Sequence, residues 1–117
     1  MTGAEMEIDP AVYILASARN GTLYVGVTSD FVSRISEHKQ DLIDGFTKKF
    51  GVHILAYIEF HDTMHAAIKR EKQIKRWLRA WKIELIEQRN PSWRDLYSEL
   101  SGLSDPATQR NWKPPKL

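Results

Sequence analysis

Two short apolar runs rich in β-branched and aromatic residues, AVYILAS (11–17) and TLYVGVT (22–28), lie near the start of the chain with ARNG between them. The Asn20-Gly21 pair between such runs predicts a β-hairpin. In SDFVSRISEHKQDL the period lengthens. Phe31, Ile35 and Leu42 fall on one face of a helix, with Ser29 or Asp30 placed to cap it. GFTKKFG then reads as a basic loop, and HILAYIEF (53–60) as a third strand. Asp62 or Thr63 caps a long helix running to about Gln88. Asn90-Pro91 ends it, because proline bars helical geometry at the residue before it. SWRDLY reads as a short final helical turn. From Ser101 onward Ser, Pro, Gly and polar residues mix without periodicity, which predicts disorder or an extension docked on a partner.

The order β-β-α-β-α-α predicts a small α+β domain, a three-stranded and mainly antiparallel sheet flanked by helices. The expected organisation is a polar extension over residues 1–10, one domain over 11–97 and a flexible C-terminal tail over 98–117. A length of 117 residues suits a single domain. No apolar run approaches the roughly 18 residues that span a bilayer, and MTGAEMEIDP lacks the basic start and apolar stretch of a secretory leader. With no cysteine there is no disulfide and no thiolate metal site. The expectation is a soluble, cytoplasmic protein.

Charge changes this picture locally. The net charge is only +2, yet Ala66 to Lys82 carries seven cations and a single acid, Glu71. On one continuous helix, Met64, Ala67, Ile68, Ile74, Leu78, Trp81 and Leu85 form an apolar stripe with Glu71 in its middle. A buried carboxylate without a partner costs several kcal/mol or gives up its charge, so it requires a hydrogen bond, a cation or a metal ion. The basic stripe around it, with Lys48 and Lys49 in the preceding loop and Lys69, Lys72, Arg76 and Arg79 on the helix, is a footprint for a polyanion, although a solvated basic face is the common structural alternative.

Arg34 and His38 pose the same question, since both fall among Phe31, Ile35 and Leu42 on the inward face of the first helix. Tyr13 and Tyr24 sit on the two arms of the hairpin and can share a face. Two phenols, a guanidinium, an imidazole and a carboxylate beside a basic helix suit phosphodiester cleavage. A single carboxylate can hold Mg²⁺ with water completing its shell, an arginine stabilises phosphoryl charge, and a tyrosine or histidine accepts the proton of the attacking water.

These residues resemble the GIY-YIG nuclease superfamily, and within it the small single-domain bacterial endonuclease-like group. The resemblance runs from Ala11 to about Tyr97. The first signature tripeptide matches Ala11-Val12-Tyr13 and the second Tyr24-Val25-Gly26; SDFVSRISEHK, REKQIKRW and NPSWRDLY match the later motifs. It implies that Tyr13 is the general base or orients the attacking water, that Tyr24 places phosphate or water, and that Arg34 stabilises phosphoryl charge. It further implies that His38 supports proton transfer or positions Tyr13, that Glu71 binds one divalent ion, Mg²⁺ with Mn²⁺ as a substitute, and that Asn90 braces the site.

Two departures stand out. Ala11 replaces a glycine, which removes no reactive group, and Val27 stands where some members carry a lysine. The leading expectation is therefore a metal-dependent endonuclease acting on DNA, with RNA an open alternative, choosing structure or damage over sequence in a repair or processing role. A nucleic-acid-binding or adaptor module without useful catalysis is the alternative, the tail offering a surface for a protein partner. A third reading makes Glu71 a structural ion-pair partner of Lys75 or Arg34.

Overall fold

A computed structural model describes residues 10–41 and 45–101. The extension up to Asp9, the helix-face residue Leu42 and the tail from Gly102 lie outside the described residues. Strands β1 (Ala11–Ala16), β2 (Leu23–Thr28) and β3 (Ile54–Phe60) form one antiparallel sheet in the order β2-β1-β3. Helices α1 (Phe31–Lys39), α2 (Phe46–Phe50), α3 (Met64–Lys75), α4 (Arg79–Arg89) and α5 (Tyr97–Ser101) flank it. The α+β expectation holds, antiparallel at every pairing.

Central β1 is buried at all six positions, as its uninterrupted apolar run requires when both faces of a sheet are covered. One core joins Tyr13 and Leu15 to Phe31, Ile35, Leu96 and Leu100; the other joins Val12 and Ile14 to Ala67, Ile74, Ile86 and Trp93. The first face therefore carries α1 and α5, the second α3 and α4. Burying each large apolar side chain contributes about 1.5–3 kcal/mol. Among the described residues no helix is long and apolar enough to cross a membrane.

Asn20 takes a left-handed φ of 57° in the hairpin turn, where asparagine is well tolerated. In β3, Ile14 pairs with Tyr57 and Leu15 with Leu55, which leaves Ala56 over as a bulge. Asn90 Nδ2 donates to the Ala56 carbonyl at 3.0 Å and to the Arg94 carbonyl at 2.9 Å, while its Oδ1 accepts from Arg94 N at 3.0 Å. Asp95 covers the outer edge of the same strand. Its Oδ1 accepts from Leu55 N at 3.1 Å, its Oδ2 accepts from Lys39 at the end of α1, and Leu96 N donates to the Leu55 carbonyl at 2.9 Å.

Three local expectations need correction: SWRDLY is not a helical turn, since residues 92–96 are irregular and the last helix, α5, begins only at Tyr97. GFTKKFG is not a loop but helix α2, bracketed by Gly45 at φ 114° and Gly51 at φ 62°, the latter a left-handed C-cap that favours glycine. The single long helix is two, broken at Arg76–Leu78. Arg76 N donates to Gln73 and Trp77 N to Ile74, tightening the last turn, and Leu78 is extended at φ −61°, ψ 151°. The chain turns so that Trp77, Ile83 and Ile86 face the core, and the stripe is lost: Leu78 is 63% and Trp81 53% exposed.

Candidate active site

The β1–β2 register sets Tyr13 opposite Gly26 and Leu15 opposite Tyr24. Residues two apart on a strand share a face, so both phenols project from the face of Leu15, the one α1 covers. The Tyr13 ring lies across Gly26, where a Cβ would sit 2.4 Å from Cζ and Oη. The missing side chain is what lets the phenol extend over β2. The two tyrosine rings are 6.3 Å apart, and His38 lies 5.9 Å from Tyr13 and 5.4 Å from Tyr24.

Helix α1 delivers His38. Asp30 caps the helix by accepting from Ser33 N at 3.3 Å, and Phe31, Ile35 and His38 are the residues it buries. The imidazole is bonded at both ends. Nε2 shares a hydrogen bond with Tyr13 Oη at 3.1 Å, and Nδ1 shares one with Thr47 Oγ1 at 2.9 Å. Thr47 is 3% exposed. Sequence reasoning missed it; a hydroxyl between two glycines in a basic segment was the only signal available.

Arg34 does not face inward as expected. It lies one helical step before buried Ile35, its side chain is 45% exposed, and its guanidinium is 3.9 Å from Glu37. It stands at the rim, with its charge still felt by both Tyr13 and His38. Burial drives the Tyr13 phenol well above its ordinary range, Tyr24 adds to the rise, Arg34 opposes it, and Glu71 and Glu37 add to it. Burial pulls His38 below its ordinary value of 6.5, and Arg34 lowers it further. At neutral pH, then, Tyr13 keeps its proton and His38 is uncharged.

Glu71 comes from the other side of the sheet. Helix α3, capped by Thr63, which accepts from Ala66 N at 3.1 Å, packs chiefly against β2 and β1. Glu71 is 8% exposed and its Oε2 lies 2.7 Å from Lys75 Nζ. The carboxylate thus has a cation, one turn on along its own helix and itself half exposed. A second anchor fixes α3. Glu59 on β3 accepts from Arg70 Nε at 3.0 Å and Tyr57 Oη at 2.6 Å, with His61 Nε2 also 2.6 Å away. Burial favours protonation of Glu59, but the hydrogen bonds from Tyr57, Arg70 and His61 outweigh it and hold the carboxyl below its ordinary range.

The remaining expected residues are dispersed. Asn90 is spent on β3 and the closing loop, and none of its hydrogen bonds goes to Tyr13, His38 or Glu71. Lys48 and Lys49 are exposed on α2. Lys69, Lys72 and Arg76 line a shallow groove of about 430 Å³ with Gln73 and Trp77. Arg79 Nη2 donates to the carbonyls of Asn20 and Gly21, each at 2.6 Å, tying α4 to the hairpin turn.

Residues 9–84 match the GIY-YIG catalytic domain. The match contains Tyr13, Tyr24, Arg34, His38 and Glu71 and ends before Asn90. UPF0213 proteins of Staphylococcus aureus strains Mu50 and N315 are each 37% identical over 79 residues, which cover 67% of this chain and 94% of theirs. The solution NMR structure of a UPF0213 protein from Bacillus halodurans aligns with a TM-score of 0.49 at 24% identity, covering 75% of this chain and 93% of that one. With most of its length inside the catalytic-domain match, and with both tyrosines, the histidine and the buried glutamate included, the chain belongs to the GIY-YIG nuclease family.

Proposed function

We propose that the protein is a divalent-metal-dependent endonuclease that hydrolyses DNA phosphodiester bonds in the cytoplasm, directed by the structure or damage of its substrate in repair or processing rather than by sequence. The observation that carries this reading is the buried chain Tyr13–His38–Thr47, whose phenol lies beside the Tyr24 ring and within electrostatic reach of Arg34 and Glu71.

Burial favours the protonated phenol. Proton transfer is therefore coupled. Tyr13 Oη takes a proton from the attacking water as its own proton passes to Nε2 of neutral His38, leaving an imidazolium and a phenol. The water oxygen bonds to phosphorus, the bond to the leaving oxygen breaks, and that oxygen takes a proton from solvent. Tyr24 places the phosphate or the water, and Arg34, at the exposed rim, meets charge building on the phosphoryl oxygens.

Glu71 would hold the ion. Among the described residues no three His, Cys, Asp or Glu side chains gather into a cage, and one hard oxygen donor suits Mg²⁺ or Mn²⁺, which keep several waters. When bound, such an ion polarises the phosphate and steadies the leaving oxygen. Lys75 must then release Oε2. Lys48, Lys49, Lys69, Lys72 and Arg76 are proposed to contact the DNA backbone, with Arg79 shared between backbone and hairpin turn. Asn90 would act from a distance, by holding the β3 bulge.

Val27 and the Lys75 cation on Glu71 favour a second reading, a binding module without turnover. Supercoiled plasmid incubated with Mg²⁺ or Mn²⁺, and with EDTA, separates the two. Metal-dependent nicking by wild type, lost in Glu71→Ala and reduced at least about a hundredfold in Arg34→Ala, is the expected result. Binding without cleavage of plasmid, branched, nicked and single-stranded DNA would leave the binding module standing.

A further inference from the structure

A neutral imidazole has one N–H and one lone pair, and what its far nitrogen contacts decides which of them faces the reacting group. Among the described residues the far nitrogen of His38, Nδ1, ends on a single side chain, the Thr47 hydroxyl, at 2.9 Å inside the fold. We propose that Thr47 is a positioning residue that sets the tautomer of His38: its Oγ1 accepts the Nδ1–H, so that the Nε2 lone pair is turned toward Tyr13.

The geometry allows only two orders of donation along this chain. If Thr47 donated to Nδ1, Nε2 would carry the proton and donate to Tyr13 Oη, and the phenol's own hydrogen would be left without that acceptor. In the opposite order Tyr13 donates to Nε2 and Nδ1–H donates to Thr47, whose own hydrogen, on a helical threonine, can turn to a carbonyl of the preceding turn. Only this order lets Tyr13 pass a proton inward while receiving one from outside. The high pKa of the phenol and the low pKa of the imidazole agree with a proton resting on Tyr13 and an open lone pair on His38.

The fold supplies what such a role needs. Thr47 is held in a five-residue helix closed by Gly45 and Gly51, and its carbonyl accepts from Val52 N at 3.0 Å. His38 comes from α1, nine positions earlier in the chain. The two ends act together: the Tyr13 phenol donates to Nε2, and the Thr47 hydroxyl is the acceptor without which Nδ1–H would be buried unpaired.

The consequence for catalysis rests on the proposed nuclease reading, but the tautomer itself does not, and the two are measured separately. Side-chain ¹⁵N NMR of the full chain at neutral pH, labelled at histidine, reads the tautomer directly in wild type, Thr47→Val and Thr47→Ser. The expected wild-type spectrum has a protonated Nδ1 and an unprotonated Nε2. Thr47→Ser keeps it, while Thr47→Val, equal in shape but without the acceptor, moves His38 toward the Nε2–H form. With cleavable DNA, kcat of Thr47→Val falls about ten- to a hundredfold, in the range of outer-shell partners of functional histidines, with KM unchanged, and Thr47→Ser recovers most of the loss. A wild-type His38 protonated at Nε2, or a Thr47→Val spectrum identical to wild type, overturns the proposal. If Thr47→Val does not fold, the wild-type spectrum still decides. If no substrate is cut while the tautomers behave as stated, the nuclease reading fails and the assignment of Thr47 stands.

Discussion

A Cβ on Gly26 would lie 2.4 Å from Cζ and Oη of Tyr13, so Gly26→Ala has to displace the ring or the strand. Glycine is required there for space alone, since its φ is not among the positive ones. Overpacking of this kind costs about 1–3 kcal/mol, and moving Oη away from His38 Nε2 should remove turnover altogether. Urea unfolding beside a nicking assay tests this; an alanine variant within about 0.5 kcal/mol of wild type and still active would show that the close approach is not needed. His38 makes a separate prediction through pH. Its folded pKa is below the unfolded 6.5, so the unfolded chain binds the extra proton and protonation opposes folding. Stability is full above pH 6.5 and declines as pH falls through 6.5 toward the folded pKa. Cleavage should fall over the acid end of that range, as neutral imidazole is lost. A rate that stays level to about pH 5 while stability declines would remove His38 from the proton path.

Helix α3 is where the proposed metal ligand meets the packing, because one face of it carries Glu71 and the neighbouring residue, Arg70, is tied to β3 through Glu59. Glu59→Gln keeps the size but weakens the acceptor for Tyr57 and Arg70, and leaving partly buried polar partners less satisfied costs about 1–3 kcal/mol. The loss should be smaller in acid. The folded pKa of Glu59 is depressed below 4.5, so its contribution is present above pH 4.5 and fades as pH falls through the folded value. Equal losses at about pH 7 and about pH 3 would mean that charge is not what Glu59 supplies. On the same helix, Lys75→Met removes the cation 2.7 Å from Glu71 and should tighten Mn²⁺ binding in calorimetry; weaker binding would make Lys75 a support of the site rather than a competitor.

What could be read from the sequence at this level divides along physical lines. Strands, hairpin and α1 were legible because period and cap coincide, as at Phe31, Ile35 and Asp30. The break after Lys75 was not, since no glycine or proline marks RWLR and the turn is selected by where Trp77, Ile83 and Ile86 pack. For the candidate site, inwardness was readable for His38 and Glu71, whose burial follows from helical phase. It misled for Arg34, one step off that phase, and it was silent on Thr47, whose role depends on the meeting of two helices.

At the scale of the whole molecule the basic side chains fall on separate elements on opposite faces of the sheet: Lys48 and Lys49 on α2, which reaches the α1 side through Thr47, and Lys69, Lys72 and Arg76 on α3 and its C-cap. Tyr13 and Glu71 approach the β2 edge of the sheet from its two faces, since the Tyr13 phenol crosses β2 at Gly26 and α3 packs against β2 from behind. A DNA strand seated there should therefore be gripped from both sides, and its affinity should carry the salt dependence of each grip. Removing one cation that neutralises a phosphate lowers the slope of log K against log salt by about 0.9 on duplex DNA. Lys48→Gln with Lys49→Gln, and separately Lys72→Gln with Arg76→Gln, should each reduce that slope by up to about 2 in fluorescence anisotropy with EDTA present, and the four changes together should reduce it by the sum. These positions are exposed, so stability in thermal unfolding should stay within about 0.5 kcal/mol of wild type. If only the α3 pair alters the slope, DNA does not pass over α2, and the approach to Tyr13 must run from the α3 side alone.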